Sequence, residues 1–298
     1  MHSPEHSSLR ITGRLVSLLV ACAACGGSQP PAASPTSPAA PISPSATDGS
    51  DNAAAGAAPM SIERAVAGAH RSEADKARDR YRHPRETLEF LGVRPDQRVI
   101  ELWPGDGWYT AVLAPLLRDQ GLLIDVVPPG HHLETYQALL ASHPEVYDRV
   151  QIVHVTPPDN LSLGPDASAD VVLTFRNMHN WISGGYAPAL HAAIARVLKP
   201  GGVYGVVEHR AAAGTSPEQS AKSGYVSEDA AIALAEGAGL KLEARSDINA
   251  NPKDTKDYPE GVWTLPPTLR LGDKDRDRYL AIGESDRMTL RFRKPSAP

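Results

Sequence analysis

Residues 99–107 read Val-Ile-Glu-Leu-Trp-Pro-Gly-Asp-Gly. An apolar run with an acid near its end and a glycine-rich break has the residue types that build a ligand crevice at the end of a strand. Glycines let a ligand approach the backbone closely. The helix expected from Trp108 to Leu117 offers unpaired N–H groups to an anionic part of that ligand. Glu101, Gly105 and Gly107 are the candidate contacts. Trp103, Trp108 and Tyr109 stand beside them, able to pack against an adenine face or a cation. A second group lies in Arg176-Asn177-Met178-His179-Asn180-Trp181. His179 can remove a proton from an attacking oxygen or nitrogen near neutral pH, and Asn177 and Asn180 can hold polar groups of a ligand. Each residue also has a structural reading: a tight connection for the glycines, space filling for the aromatics, a loop hydrogen bond for the histidine, turn formation for the asparagines.

A scaffold that positions both groups is legible in the apolar periodicity. Leu122–Val127, Val150–Val155, Asp170–Phe175, Val203–Glu208, Leu242–Asp247 and Met288–Arg293 predict the strands that follow the first. Helical spacing covers His131–Ser142, with Leu133, Tyr136, Leu139 and Leu140 on one side, and Tyr186–Leu198. Ser227 caps a helix through Ala238, with Glu228 and Asp229 in its first turn. After Leu198 comes Lys199-Pro200-Gly201-Gly202, where glycine suits a left-handed helix cap and proline cannot continue the helix. Strands alternating with helices predict an α/β, doubly wound, mostly parallel sheet. Such sheets bind ligands beyond the carboxyl ends of their strands, and both groups fall there.

From about Asp79 to Pro295 these residues resemble the class I S-adenosylmethionine-dependent methyltransferases. Glu101 to Gly107 sits where that family has its acid-and-glycine cofactor loop, and Leu198-Lys199-Pro200-Gly201-Gly202 matches its later signature before strand five. Tyr81-Arg82-His83-Pro84, Glu101 through Tyr109, Arg176 through Trp181 and Glu208-His209-Arg210 resemble, more narrowly, a poorly characterised exported branch of predicted methyltransferases. The resemblance implies a Rossmann-like seven-stranded sheet with the last strand antiparallel. It also implies S-adenosylmethionine as cofactor and methyl transfer to a small molecule, without indicating which one. Glu101, Trp103, Gly105, Gly107, Tyr109, Asp125 and Asn177 are then the expected cofactor contacts, with His179 the catalytic proton acceptor. In such enzymes an N-terminal helix can close over the cofactor, which would bring Tyr81 and His83 toward it.

Two departures stand out. Trp103 occupies the place of the family's first loop glycine. A tryptophan does not cheaply adopt a glycine conformation, so the tight turn is expected at Gly105 and Gly107 or in an altered loop. The acid that ends strand two in the family, where it holds ribose hydroxyls, is replaced by Val127. The nearest acid, Asp125, lies two residues earlier, on the same face by strand alternation but deeper in the sheet.

At the N-terminus, Arg10 and Arg14 precede Leu15-Val16-Ser17-Leu18-Leu19-Val20-Ala21-Cys22. This is a basic region followed by an apolar stretch too short to span a bilayer. Leu19 to Cys22 resembles the bacterial lipoprotein processing box, which implies cleavage before Cys22 and lipid attachment to its sulfur. Ala23, by the same resemblance, favours the outer membrane of a Gram-negative cell, with the protein facing the periplasm. The plainer readings are an ordinary signal peptide or a mis-called start codon. Residues 23–60 are almost all Ala, Pro, Ser and Gly with no Lys or Arg, too poor in apolar surface to fold. The expected organisation is a leader (1–21), a disordered tether (22–60) and one methyltransferase-like domain (61–298).

The other features constrain rather than identify. Net charge is −5 and 41% of residues are hydrophobic. The basic stretch Arg71 to Arg85 is interleaved with acids and reads as a solvated helix face, so no nucleic-acid partner is expected. A small-molecule substrate and a membrane attachment only through the lipid are. Cys22-x-x-Cys25 lacks the further ligands a metal site needs, and His131-His132 lacks partners for zinc, so no metal is expected. Glu208 and His209 are adjacent on a strand and should point to opposite faces. Ile248 to Arg287 is long for a connection and suggests a substrate lid or an edge cover. The rival to a methyltransferase is a non-catalytic, anchored ligand-binding protein on the same fold.

Overall fold

A computed structural model describes residues 60–130 and 132–296. The expected leader and tether lie outside the described residues apart from Met60, as does His131. The strands are β1 (Arg98–Leu102), β2 (Leu122–Val127), β3 (Gln151–His154), β4 (Ala169–Phe175), β5 (Leu198–His209), β6 (Lys241–Ser246) and β7 (Arg287–Arg293). The helices are α1 (Ile62–Val66), α2 (Glu73–Lys76), α3 (Asp79–Arg82), α4 (Pro84–Phe90), α5 (Thr110–Leu117), α6 (His132–Ser142), α7 (Pro144–Tyr147), α8 (Met178–Ser183), α9 (Ala187–Val197), α10 (Pro217–Ser223), α11 (Glu228–Gly237) and α12 (Arg276–Ile282).

The strands form one seven-stranded sheet in the order β3-β2-β1-β4-β5-β7-β6. β1 to β5 pair in parallel, and β7 runs antiparallel to both β5 and β6. The expected doubly wound α/β sheet with its antiparallel last strand is therefore present. Alternation along the strands divides the core in two. Ile100, Leu102, Val126, Val172 and Val206 face one layer, which α8, α9 and α11 complete with Trp181, Leu190, Ile194 and Ala231. Val99, Leu123, Val171, Leu173 and Val207 face the other, closed by α4 and α5 through Leu88, Val112 and Leu116. Because both faces are covered, the central strands read as nearly continuous apolar runs. The strand order reverses between β1 and β4, the topological switch point at which such sheets open a crevice.

Two sequence expectations need correction. Helix α9 ends at Val197 with an extended Leu198 after it, not at a glycine cap. Leu198 already pairs with Ala169, so β5 starts five residues before Val203, with a register shift opposite Ala169–Val171. Gly201, at φ +78, takes that irregularity and donates its N–H to Lys294. A Cβ on Gly202 would stand 2.9 Å from the Lys199 carbonyl oxygen. These glycines serve a kinked strand start.

The second correction concerns Arg71 to Arg85, which is not a solvated face. It is split among α2, α3 and the start of α4, and Arg71 and Arg82 are only 3% and 1% exposed. Arg71 forms a two-point pair with Asp79 and lies over the Trp108 ring, which Arg82 covers from 4.5 Å. A tryptophan face and a matched carboxylate give a guanidinium enough contact to be buried.

Candidate active site

The glycine loop leaves β1 through a strained residue. Trp103 has φ +51, a left-handed conformation not expected of a tryptophan, while Gly105 (φ +61) and Gly107 (φ +82) carry the turn where it was expected. That conformation costs a non-glycine residue about 1–2 kcal/mol. Fixed contacts offset it. The Trp103 N–H donates to Val126, its ring packs 5.4 Å from that of Trp181, and Asn177 Nδ2 donates to the Leu102 and Trp103 carbonyls at 2.9 and 3.2 Å. Asn177 thus clamps the end of β1 to the end of β4. Gly105 (φ +61) has open space where a Cβ would stand. Gly107 (φ +82) does not: a Cβ there would lie 2.2 Å from Leu139 of α6. Gly105 is the residue a ligand can approach, while Gly107 lets α6 pack against the loop.

Other expected cofactor residues are turned toward the protein. Glu101 is 2% exposed and accepts a 2.8 Å hydrogen bond from Thr110 Oγ1. Asp125, fully buried and paired in register with Glu101, accepts from the Tyr136 hydroxyl of α6 through Oδ2, while its Oδ1 has no partner. Among the described residues no cation pairs with either acid. Burial, and for Glu101 the neighbouring Asp125, pushes both carboxyls up, Asp125 to about 7. Tyr109 stacks flat on Phe175 with ring centres 3.5 Å apart, its hydroxyl on the Arg82 carbonyl. Val127, at the rim of β2, is buried and apolar. The crevice therefore fits a ligand approaching at Gly105 and supplies no carboxylate from the end of β2.

Above β4 and β5 the chemistry changes. His179, second residue of α8, is 6% exposed and lies 3.2 Å through Nδ1 from Glu208 Oε1. Glu208 also accepts from the backbone N–H groups of Met178 (2.5 Å) and His209 (2.8 Å). Glu208 Oε1 faces the Nδ1 side of the ring, so in the neutral imidazole a proton on Nδ1 donates to it and Nε2 is left as the acceptor. Trp263, from the long connection before β7, sets its ring on that of His179 at 5.8 Å. The sequence expectation for Glu208 and His209 fails here: both join His179, with their ligand-type atoms within 4.8 Å of one another. Alternation still directs the two Cβ atoms apart, but the glutamate reaches forward around the strand end to its neighbour's N–H.

That spacing also suits a metal ion, but the surrounding charge opposes one. Burial, then the charges of His179, Arg176, Arg287 and Arg82, hold His209 well below its usual range and therefore neutral. The arginines are the feature that sequence reasoning missed. Arg78, Arg82 and Arg287 converge on Glu284, at 2.7, 3.1 and 3.1 Å. Burial raises the Glu284 carboxyl, but these arginines and Arg176 outweigh it and hold it at about 2. Arg176 follows β4 with φ +64, and His83, after α3, has φ +41. With Trp103, three non-glycine residues adopt left-handed backbone around this rim, a pattern that clusters at functional sites. Tyr81 packs against Gly283, and His132, exposed, pairs with Asp106 of the glycine loop.

A cleft of about 280 Å³ lies at the opposite edge, among Gln97, Asp170, Lys199 and Gly202. That is the amino end of the sheet, away from the titratable groups, and not where parallel sheets bind ligands.

No family model and no curated protein matches the sequence, whereas solved structures match the fold. A SAM dependent methyltransferase from Aquifex aeolicus superposes with a TM-score of 0.51 at 12% identity, over 79% of this chain and 99% of its own. The [4+2]-cyclase SpnF superposes with a TM-score of 0.52 at 17% identity, over 79% of this chain and 93% of its own. The fold is that of the class I methyltransferases. At these identities the likeness concerns the fold. One of the two neighbours is named for a cyclisation, so the reaction has to be argued from the residues.

Proposed function

We propose that this protein is an S-adenosylmethionine-dependent methyltransferase acting on a small molecule through an oxygen or nitrogen nucleophile. The observation that carries the reading is one shared edge: the open glycine turn at Gly105 and the His179–Glu208 pair both lie at the carboxyl ends of the strands, on either side of the switch point. When bound, S-adenosylmethionine supplies an electrophilic methyl group. The residues that would hold it are Trp103 and Gly105, with Asn177 fixing the loop. Asp125 and Tyr109 support the crevice from beneath. His179 takes the acceptor's proton on Nε2 while Glu208 fixes the tautomer and stabilises the imidazolium, the division of labour of a histidine–carboxylate pair. Trp263 and α8 keep water from the histidine. Most of the rate comes from holding the two reactants in line.

Calorimetric titration of the full chain with S-adenosylmethionine tests the reading. Binding, with a matching rise in melting temperature, is expected. A folded protein that takes up none of it at millimolar concentration would turn the reading into that of a non-catalytic relative.

The site is further proposed to work outside the cytoplasm, anchored through Cys22. No helix among the described residues is long and apolar enough to cross a membrane, so the proposal rests on the Arg10-to-Cys22 succession. Expression in a Gram-negative host should give a lipidated membrane-fraction protein, and Cys22→Ser should release it. A soluble product with an intact Met1, found by mass spectrometry, would sink this part.

A further inference from the structure

Four guanidinium groups gather above the ends of β4, β5 and β7 and face two carboxylates. Arg78, Arg82 and Arg287 share Glu284, which is 4% exposed. Glu208 is occupied by His179 and two backbone N–H groups. Arg287 is satisfied, donating also to the Tyr81 and Ser285 carbonyls. The other three are not. Arg82, 1% exposed, and Arg78 each leave Nη2 buried without a partner. The Arg176 guanidinium has no hydrogen-bond or ion-pair partner among the described residues, although its backbone is held in a left-handed conformation. The strongest charge acting on Arg82 is that of Arg176, a repulsion. Arg176 and Arg78 are half-buried, so the cost sits at the two buried, unpaired Nη2 atoms and in the repulsion between the guanidinium groups, an unfavourable arrangement for a protein that binds nothing there. A planar fork of donors matches a carboxylate or a phosphate.

We infer that Arg176, with the free Nη2 groups of Arg82 and Arg78, forms a binding site for a small oxyanion, carboxylate or phosphate, carried by the molecule whose reacting atom is presented to His179. Calling that molecule the methyl acceptor rests on the function proposed above; the anion site itself does not. Placement supports the link. Arg176 precedes His179 by three residues, and its charge, with those of Arg82 and Arg287, acts on His209, whose ring lies 5.6 Å from that of His179. The anion would neutralise the arginines that face the two histidines.

The test uses the full chain without cofactor, in a buffer of low anion content, with inorganic phosphate and then succinate as probes. Phosphate or succinate should bind and raise the melting temperature, and the stronger of the two identifies the anion class. Arg176→Gln should weaken that binding about tenfold or more. In the anion-free buffer it should melt at or above the temperature of the parent, because a repelling charge is removed. Its affinity for S-adenosylmethionine should be unchanged. Arg78→Gln, at a position one quarter exposed, should weaken the anion by a smaller factor and serves if the first variant does not fold. Three results would overturn the inference. One is that neither probe binds. Another is that Arg176→Gln loses stability without any probe, which makes the guanidinium structural. The last is that phosphate competes with S-adenosylmethionine and the variant loses cofactor affinity, which assigns the arginine to the cofactor's own carboxylate. If S-adenosylmethionine does not bind at all, the proposed reaction fails, while the anion result is read independently.

Discussion

The two halves of the sheet's carboxyl edge bury charge of opposite sign and settle it differently. Below the glycine loop, Glu101 and Asp125 lie side by side with hydroxyl partners and, among the described residues, no cation. Above β4, β5 and β7, arginines outnumber acids. A carboxyl deprived of water can take a proton, and Asp125 titrates at about 7. A guanidinium cannot shed one near neutrality: burial and neighbouring arginines lower Arg82 only to about 9, and burial lowers Arg176 to about 10. The acid side can therefore be neutral without help, whereas the arginine side stays charged, and Glu284 and Glu208 balance only part of that charge. The first is a support for the loop and the second a receptor.

The sharpest division between the halves is catalytic. His179→Ala should lower turnover roughly 10²–10⁴-fold and leave cofactor affinity unchanged, measured by steady-state rates and calorimetry once an acceptor is in hand. Joint loss of stability and cofactor affinity would show that the histidine only orders the Arg176–Trp181 segment. On the loop side the effect should be on binding. Gly105→Val, entering open space, should weaken S-adenosylmethionine at least about tenfold. It should lower the melting temperature only by the left-handed penalty of roughly 1–2 kcal/mol. Gly107→Ala is the control: its Cβ meets Leu139 and should cost about 1–3 kcal/mol of stability by overpacking. Equal affinity in Gly105→Val would place the ligand elsewhere.

The smallest effect tests the acid pair. An unfolded aspartate titrates near 3.9 and the folded one at about 7, so the folded state holds the extra proton between those values. That contribution is fully present below about pH 4 and is lost as pH rises through 7. Asp125→Asn cannot ionise and should flatten the stability profile across that window. At pH 8 it should melt at a higher temperature than the parent. A lower melting temperature at pH 8 would mean that the ionised form is the one the fold needs.

Local signals were enough for the parts that depend on neighbours in the chain. The period-two runs, Ser227 at its helix start and Gly105 at the strand end were readable because each answers to a few adjacent residues. The same reasoning misjudged Trp103, since the contacts that hold its left-handed backbone come from Val126, Asn177 and Trp181. It also misjudged Glu208 and His209, because alternation describes Cβ directions and not the reach of a glutamate at a strand end.

By itself the sequence determined the alternating α/β plan, the glycine turn after β1 and a histidine beyond β4, all consequences of side-chain period and turn chemistry. Only the tertiary structure decided which charges are buried. Arg78 and Glu284 are 206 residues apart, and in sequence Arg71 to Arg85 is an ordinary mixture of charges. The burial that turns it into half of a receptor exists only once the connection before β7 brings Glu284 onto the rim and β4 delivers Arg176 beside it. Desolvation is a property of the packed assembly, and no window of residues contains it.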